Sequence, residues 1–430
     1  MRRLAKMNET IMEDRCQTPI VGQYDVIVCG GGPAGFCAAV SAARQGASVL
    51  LIEVNGCIGG IWTAGLLSLV LDTEGKGGLL LELVDRLSQY GCVESRAGRF
   101  LYDAEAMKVE LEAMCEEAGV HIRLHTRVVD TAVSDGCITG VITESASGRE
   151  AFSGHVFIDA TGNGDLASVA GCHFAYGHPE TGQAQPATLF ALVSGVPEHQ
   201  GTTRGYEGKE AFRQLLNSVD IEPSYQSPSL FRLPDSNLCC LMINHEYNVR
   251  CDSAADITSA TIRARSEIFR AVHALRRLAG WEHVKVVVTA EQIGIREGRR
   301  IAGHYTLTAD DLLTGRTFED AVCLVRMNVD VHALVPGGTS GYSNSGLTRM
   351  PYHIPYRSLI ARDCTNLLLA GRLISGDFFA HASYRVTGNA VPMGEAAGWA
   401  ASTAVKCGIT PVQIDGKEVK AFMEKRGYQL

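Results

Sequence analysis

The sequence predicts an α/β fold: a parallel sheet built from both ends of the chain, with an α+β domain inserted between them. Three observations predict it. A strand, a glycine-rich turn, a helix and a second strand follow one another between residues 24 and 53. Two further apolar strands run into glycine turns, at 155–162 and 366–371. From 176 to 356 the strand–helix alternation is lost, which marks a different kind of layer packing.

Residues 1–23 read as a flexible tail. Basic residues occur there without an apolar run behind them, so it is not a secretory signal. Order begins at Tyr24. Residues 25–29 (DVIVC) form a short buried strand that runs into Gly30-Gly-Gly-Pro-Ala-Gly35, a Gly-x-Gly-x-x-Gly turn. A helix over 36–45 and a strand over 48–52 follow, closed by Glu53. This is the Rossmann-like dinucleotide unit. Gly30 permits the tight turn, Gly32 lets backbone approach a pyrophosphate, and Gly35 lets the helix pack on the strand. The helix start, with Pro33 and Ala34, offers free N–H donors and a positive dipole end. Glu53 can accept from ribose hydroxyls.

Val54 and the Gly59-Gly60 pair lead toward Thr63, a segment with exposed amides that in FAD enzymes often runs beside the phosphates toward the flavin. Helices are expected over 78–90 and 103–118. Residues 121–125 read as a strand with His121 and His125 on one face, an ordinary polar pattern more than a metal pair. Val128 follows at the edge of the adenosine site, and 131–144 form a hairpin turning at Asp135-Gly136. The strand at 155–159 ends in Ala160-Thr161-Gly162. In the middle, a strand begins at Pro186, and helices are expected over 209–219 and 258–278. The second helix should bury positions 262, 268, 269, 272, 275 and 278. Its five arginines read as a solvated face. Near the C-terminus a strand enters Gly371, and a small-residue helix starting near Pro392 would aim its N-terminal dipole at the flavin's N1–C2=O edge.

Composition narrows the function. The 46 glycines among 430 residues exceed the usual share of about 7%, with no collagen period, so they serve turns and close backbone approach. A net charge of −8 argues against nucleic acid as a partner. The 14 cysteines are scattered without any Cys-x-x-Cys. No metal site is expected, and the free thiols suit a reducing, cytoplasmic setting. The uncharged stretches 26–43 and 54–71 are interrupted by glycines, so no membrane span is expected.

These markers together resemble the FAD-dependent oxidoreductases of the glutathione-reductase-like fold. More closely, the chain resembles a family of FAD-dependent oxidoreductases with Arg-Glu-x-Arg-Arg-Ile and Ile-Pro-Tyr-Arg segments, here Arg296–Ile301 and Ile354–Arg357. Tyr305-Thr-Leu-Thr, Phe318-Glu-Asp320, Asp330-Val-His332 and Ala370-Gly-Arg372 also fit. The resemblance implies FAD as cofactor. It implies a discontinuous FAD-binding domain over 24–175 and 357–430, and a substrate domain over 176–356. Gly30, Gly32, Gly35, Glu53, Gly59, Gly60, Ala160, Thr161, Gly162, Gly371, Arg372, Met393 and Gly394 would then line FAD. Many relatives carry Gly-Asp at the Gly371-Arg372 position, so either Arg372 or Asp377 could contact the cofactor.

Four polar segments are candidates for chemistry. Arg296 to Arg300 holds Arg296, Arg299 and Arg300 around Glu297, and at least one of these arginines can be a purely structural partner of Glu297. Asp330 and His332 share a strand face, and such an Asp can fix the His tautomer. Residues 342–357 supply Tyr342, Asn344, Arg349, Tyr352, His353, Tyr356 and Arg357, which suits a polyol, sugar or carboxylate. His381 could take a hydroxyl proton as carbon gives hydride to the flavin, and Arg385 could hold a carboxylate or alkoxide. The catalytic candidates are therefore His381, Arg385, His332 and Arg296. The expected activity is hydride transfer between FAD and a small polar substrate, with an unidentified electron acceptor or donor and a possible homo-oligomer. The alternatives are an electron-relaying flavin subunit and a non-catalytic flavin-binding module.

Overall fold

The computed structural model describes residues 17–200, 202–203, 205–337, 342–343 and 350–430. Asn344, Arg349 and residues 1–16 of the expected tail lie outside the described residues. Elements are numbered as follows. The first part holds β1 (Ile20–Cys29), α1 (Pro33–Arg44), β2 (Val49–Ile52), β3 (Leu69–Leu71), β4 (Val93–Arg96), β5 (Arg99–Tyr102) and α2 (Ala104–Ala118). Then come β6 (His121–Arg123), β7 (Arg127–Ser134), β8 (Cys137–Ser145) and β9 (Gly148–Asp159). The middle holds β10 (Ala191–Ser194), α3 (Gly205–Asn217), β11 (Ser229–Arg232), β12 (Cys239–Met242), α4 (Ala254–Leu275) and β13 (Lys285–Thr289). The C-terminal part adds β14 (Leu367–Leu369), α5 (Phe378–Tyr384) and α6 (Thr387–Cys407).

The parallel sheet runs β6-β2-β1-β9-β14. Val26 to Cys29 are buried on both faces, as a strand covered by helices on both sides must be. β9 is long enough to share one edge. Its first half pairs antiparallel with β8, and its last residues pair parallel with β14. β7 and β8 form the expected hairpin, with positive φ at Asp135 and Gly136. β1 starts at Ile20, ahead of the Tyr24 expected from sequence, because Ile20 to Tyr24 pair with β9. His125 leaves β6 with φ 49°, so it shares no strand face with His121.

α6 crosses α1 with backbone almost in contact. A Cβ at Gly394 or Gly398 would lie 2.1 Å from the carbonyl oxygen of Ala34 or Ala38. The helix starts at Thr387, with Val386 as N-cap, not near Pro392. Pro392 therefore sits inside it and supplies no N–H for the Gly388 carbonyl.

Two cores form. The second gathers residues 187–293 around an antiparallel sheet ordered β11-β12-β10-β13, and Leu66, Leu101 and Ala104 join it. Buried apolar residues of the stretch read from sequence as the end of the inserted domain pack in the first core, among them Ile301, Val322, Tyr352 and Tyr356. α4 buries Ala260, Ala264, Ile268, Ala271, Val272 and Leu275. Ile262 and Phe269 are 61% and 67% exposed. The core stripe thus runs through the alanines, and these two large side chains point outward. Among the described residues, no helix is long and apolar enough to cross a membrane.

Candidate active site

The three motif glycines meet three different surroundings. A Cβ on Gly30, where φ is 95°, would lie 2.5 Å from the Ala160 carbonyl oxygen. A Cβ on Gly35 would lie 1.7 Å from the Gly30 carbonyl oxygen. A Cβ on Gly32 meets nothing within 4 Å. The first two glycines close the turn against the sheet, and the third faces open space at the start of α1. No side chain caps that helix N-terminus, so its first amides face the same space.

Glu53 stands beside it. Its carboxylate accepts from the Gly31 amide at 2.6 Å and from the Asn55 amide at 2.8 Å. Burial pushes this carboxyl up, and those amides oppose the push. The Asn55 side-chain amide donates to the same Oε1 at 2.7 Å, so Oε2, which accepts from Gly31, is the oxygen with a lone pair left for a ribose hydroxyl.

One cavity of about 2260 Å³ starts here and extends to the inserted domain. Single-ligand sites occupy roughly 300–1,000 Å³, so this one can hold a dinucleotide and a second molecule. Gly30, Gly32, Pro33, Ala34, Glu53, Val54 and Gly60 line it, and so do Val128, Ala160, Thr161, Gly162, Gly371 and Arg372. Five other residues expected to line a cofactor do not reach it. Gly35 is packed on the strand. Gly59 bonds its amide to the Gly31 carbonyl at 2.7 Å. The buried Thr63 hydroxyl donates to the Ile58 carbonyl. Met393 is fully buried, and Gly394 is consumed by the α1 crossing. Arg372 reaches the cavity and donates to the Asn163 side chain at 2.8 Å. Asp377 instead caps α5 through the Ala380 amide and does not line the cavity.

The catalytic candidates divide similarly. His381 is fully buried and does not line the cavity. Neither ring nitrogen has a partner among the described residues. Burial and then the arginines Arg300, Arg385 and Arg372 hold its pKa well below the usual value. It packs edge-on against Tyr384. Tyr352, His353, Tyr356 and Arg357 also miss the cavity. The strand Tyr352–Pro355 pairs with Ala321–Val325, which buries Tyr352, while Arg357 pairs with Asp320 at 2.8 Å.

His332, Arg296 and Arg385 do come together at the far end of the cavity. His332 Nε2 lies 3.3 Å from Asp330 Oδ2, and its Nδ1 lies 3.0 Å from His245 Nε2. Arg385 donates to Asp330 Oδ2 at 3.0 Å and to the Asp330 carbonyl at 2.8 Å. Arg296 donates to the Pro186 carbonyl at 2.6 Å and the Thr188 hydroxyl at 2.8 Å, so neutral acceptors hold it in place. Its neighbours take the local carboxylates. Arg300 pairs with the buried Glu297, and Arg299 with Asp165 and Asp252.

Charge here is unbalanced toward positive. Burial, and then Arg385, lower Arg296 to about 10. Burial, and then Arg296, lower His332 to about 4, so it is neutral at pH 7. Burial raises the Asp330 carboxyl, but His332, Arg385 and Arg296 together outweigh that and keep it ionised. Sequence reasoning missed His245, Lys209 and Gln185. His245 is 87 residues from His332, and no motif marks it. Lys209 lines the same cavity, and the Gln185 side chain accepts the His332 amide.

A digeranylgeranylglycerophospholipid reductase of Methanocella arvoryzae is 30% identical over 139 residues, covering 28% of this chain and 34% of that protein. The tRNA uridine 5-carboxymethylaminomethyl modification enzyme MnmG of Chlamydia muridarum is 31% identical over 260 residues, covering 50% and 42%. The chain thus spans less than half the length of either curated relative. Among solved structures, a geranylgeranyl bacteriochlorophyll reductase-like protein of Thermoplasma acidophilum aligns with TM-score 0.50 at 13% identity, covering 94% of this chain and 84% of that one. The p-nitrophenol 4-monooxygenase of Pseudomonas putida DLL-E4 aligns with TM-score 0.51 at 12% identity, covering 94% and 87%. These two share the fold, and they carry it at the level of an FAD-binding α/β architecture, not of the glutathione-reductase subtype. The FAD dependent oxidoreductase family matches residues 25–423, nearly the whole chain from the first glycine-motif strand to the last helix, and the protein is an FAD-using enzyme that belongs to it.

Proposed function

We propose that the enzyme oxidises a small hydroxy acid, holding its carboxylate between Arg296 and Arg385. One observation carries this reading: two guanidiniums face the cavity at the same end and repel each other, and among the described residues Asp330 is the one carboxylate paired with either of them, Glu297 nearby being taken by Arg300. An anion placed there relieves the repulsion, and arginine's fork suits a carboxylate.

Gly30, Gly32, the α1 N-terminus and Glu53 would hold the dinucleotide, and Gly162, Gly371 and Arg372 would border it. Bound FAD supplies the hydride acceptor. The residues then divide the work. Arg296 and Arg385 orient the substrate. The carbinol C–H leaves as hydride, the hydroxyl proton passes to His332 Nε2, and a carbonyl forms. Nδ1 is taken by His245 at 3.0 Å, so Nε2, 3.3 Å from Asp330, is the nitrogen assigned to the substrate. Asp330 then faces the imidazolium and stabilises it. The incoming carboxylate also offsets the Arg296 charge that keeps His332 weakly basic.

Anaerobic mixing with α-hydroxy acids, sugars and neutral polyols tests the reading. The acids should bleach the flavin, and Arg385→Gln and Arg296→Gln should slow bleaching through substrate binding. Bleaching by neutral polyols alone, unaffected by either variant, would overturn it.

A further inference from the structure

The cavity continues past the arginines onto a wall that the chemistry above does not use. β3 and β5 pair antiparallel with Leu69 opposite Leu101. Strand alternation sends Val70 and Phe100 into the first core and turns Leu69 and Leu101 to the cavity. The inserted domain faces them with Phe190, Phe231 and Met242. The wall ends at Glu94, Arg96 and Arg99 on β4 and β5. The sequence therefore builds a cationic end, an apolar stretch and a charged rim along one continuous space.

A short polar acid would occupy the cationic end and leave the apolar stretch wet. The inserted domain spends two aromatic or thioether side chains, Phe231 and Met242, on a surface that such a substrate never touches. We infer that the substrate is an amphipathic acid, with its carboxylate at Arg296 and Arg385 and an apolar body lying against Leu69, Leu101, Phe231 and Met242. The inference rests on the acid reading above and adds the class of the substrate's other half. It also replaces the polar lining expected from residues 342–357, whose described members other than Tyr342 and Ser343 lie elsewhere.

The test uses FAD-loaded enzyme and straight-chain carboxylates from butyrate to decanoate, with binding read from the change in the visible flavin spectrum. Each added methylene along the wall should tighten binding about fourfold. Leu101→Asn and Phe231→Ser should flatten that dependence, with retention of the flavin spectrum as the check on folding. Two variants from opposite walls keep the test valid if one of them fails to fold. Equal affinity for butyrate and octanoate in the wild-type enzyme would overturn the inference, while weaker butyrate binding by Arg296→Gln would still support the acid reading. Straight-chain alcohols binding as tightly as the acids, with no effect of Arg296→Gln, would overturn the acid reading and this inference with it.

Discussion

Nδ1 of His332 lies 3.0 Å from Nε2 of His245, so one of these nitrogens carries the proton of the contact and the other accepts it. Ionised Asp330 only accepts, so in the free enzyme His332 Nε2–H donates to it, and Nδ1 accepts from His245 Nε2–H. The base form is the other tautomer, reached by exchange of one ring proton with water: His332 gives up its Nε2–H, takes the His245 proton on Nδ1 and donates it back along the same contact, His245 is reprotonated on Nδ1, and Nε2 is left as an acceptor beside Asp330. His245 does not line the cavity. It is a positioning residue, and its own Nδ1 is unpartnered among the described residues.

His245→Phe removes this partner and should lower kcat by about tenfold to a hundredfold, within the range general-base catalysis contributes. KM should change little. Gln places an amide near the lost nitrogen, so His245→Gln should restore much of the rate. Loss of FAD or of folding in both variants, with no rescue by Gln, would make His245 a packing residue only.

The pH profile should report His332. A base that must be neutral gives a rate that rises with pH through its pKa and then levels, here near 4 for the free enzyme. Two substitutions should move this acid limb in opposite directions. Arg296→Gln removes a cation that disfavours the imidazolium, so the pKa rises and activity is lost at higher pH. Asp330→Asn removes the anion that favours it, so the limb moves lower. The profile of kcat/KM separates this from the weaker binding that Arg296→Gln also causes. Shifts of the same sign would remove His332 from the base role.

Gly32 and Gly35 should fail in different ways. Alanine at 32 meets open space, and the backbone there, with φ −66°, accepts a side chain. Gly32→Ala should fold with an unchanged melting temperature in the FAD-free form, yet lose FAD affinity about tenfold or more. Gly35→Ala forces a methyl to within 1.7 Å of the Gly30 carbonyl. It should cost at least the ~1–3 kcal/mol of overpacking and reduce soluble yield whether or not FAD is supplied. Calorimetry and flavin titration of the two variants check this.

The contrast between those glycines shows what was legible in the sequence. A tight turn, an open approach and a helix–strand contact follow from local sterics, and the motif encodes all three within six residues. Gly394 looked similar, but its lack of a side chain serves the crossing of two helices 360 residues apart in sequence. Pro392 looked like a helix start because its ring suits that place. The true start at Thr387 depends on Gly388 fitting against the carbonyls of Leu71 and Asp72, which is tertiary information. Tyr352, His353 and Tyr356 had the composition of a substrate loop, but pairing of Tyr352–Pro355 with Ala321–Val325 buried the first two, and Tyr356 follows them into the core. Asp330 and His332 were legible because alternation places i and i+2 on one face. His245 joins them only through the fold.

His381 gives the last prediction, since its chemistry was expected from sequence and its position argues against it. The ring is fully buried with no partner among the described residues, and burial, then Arg300 and Arg385, hold its pKa well below the usual value. Folded His381 is therefore neutral at pH 7. In the unfolded chain it takes a proton near its ordinary pKa of about 6.5. The unfolded state binds more protons below that pH, so this residue makes the fold less stable as pH falls through about 6.5. His381→Leu removes both the unpartnered ring and the linkage. The variant should keep turnover within a few-fold of wild type, and its acid unfolding midpoint should move to lower pH. Circular dichroism during acid titration, together with flavin reduction rates at pH 7, measures both. A hundredfold loss of flavin reduction in a folded, FAD-loaded variant would return His381 to the chemistry.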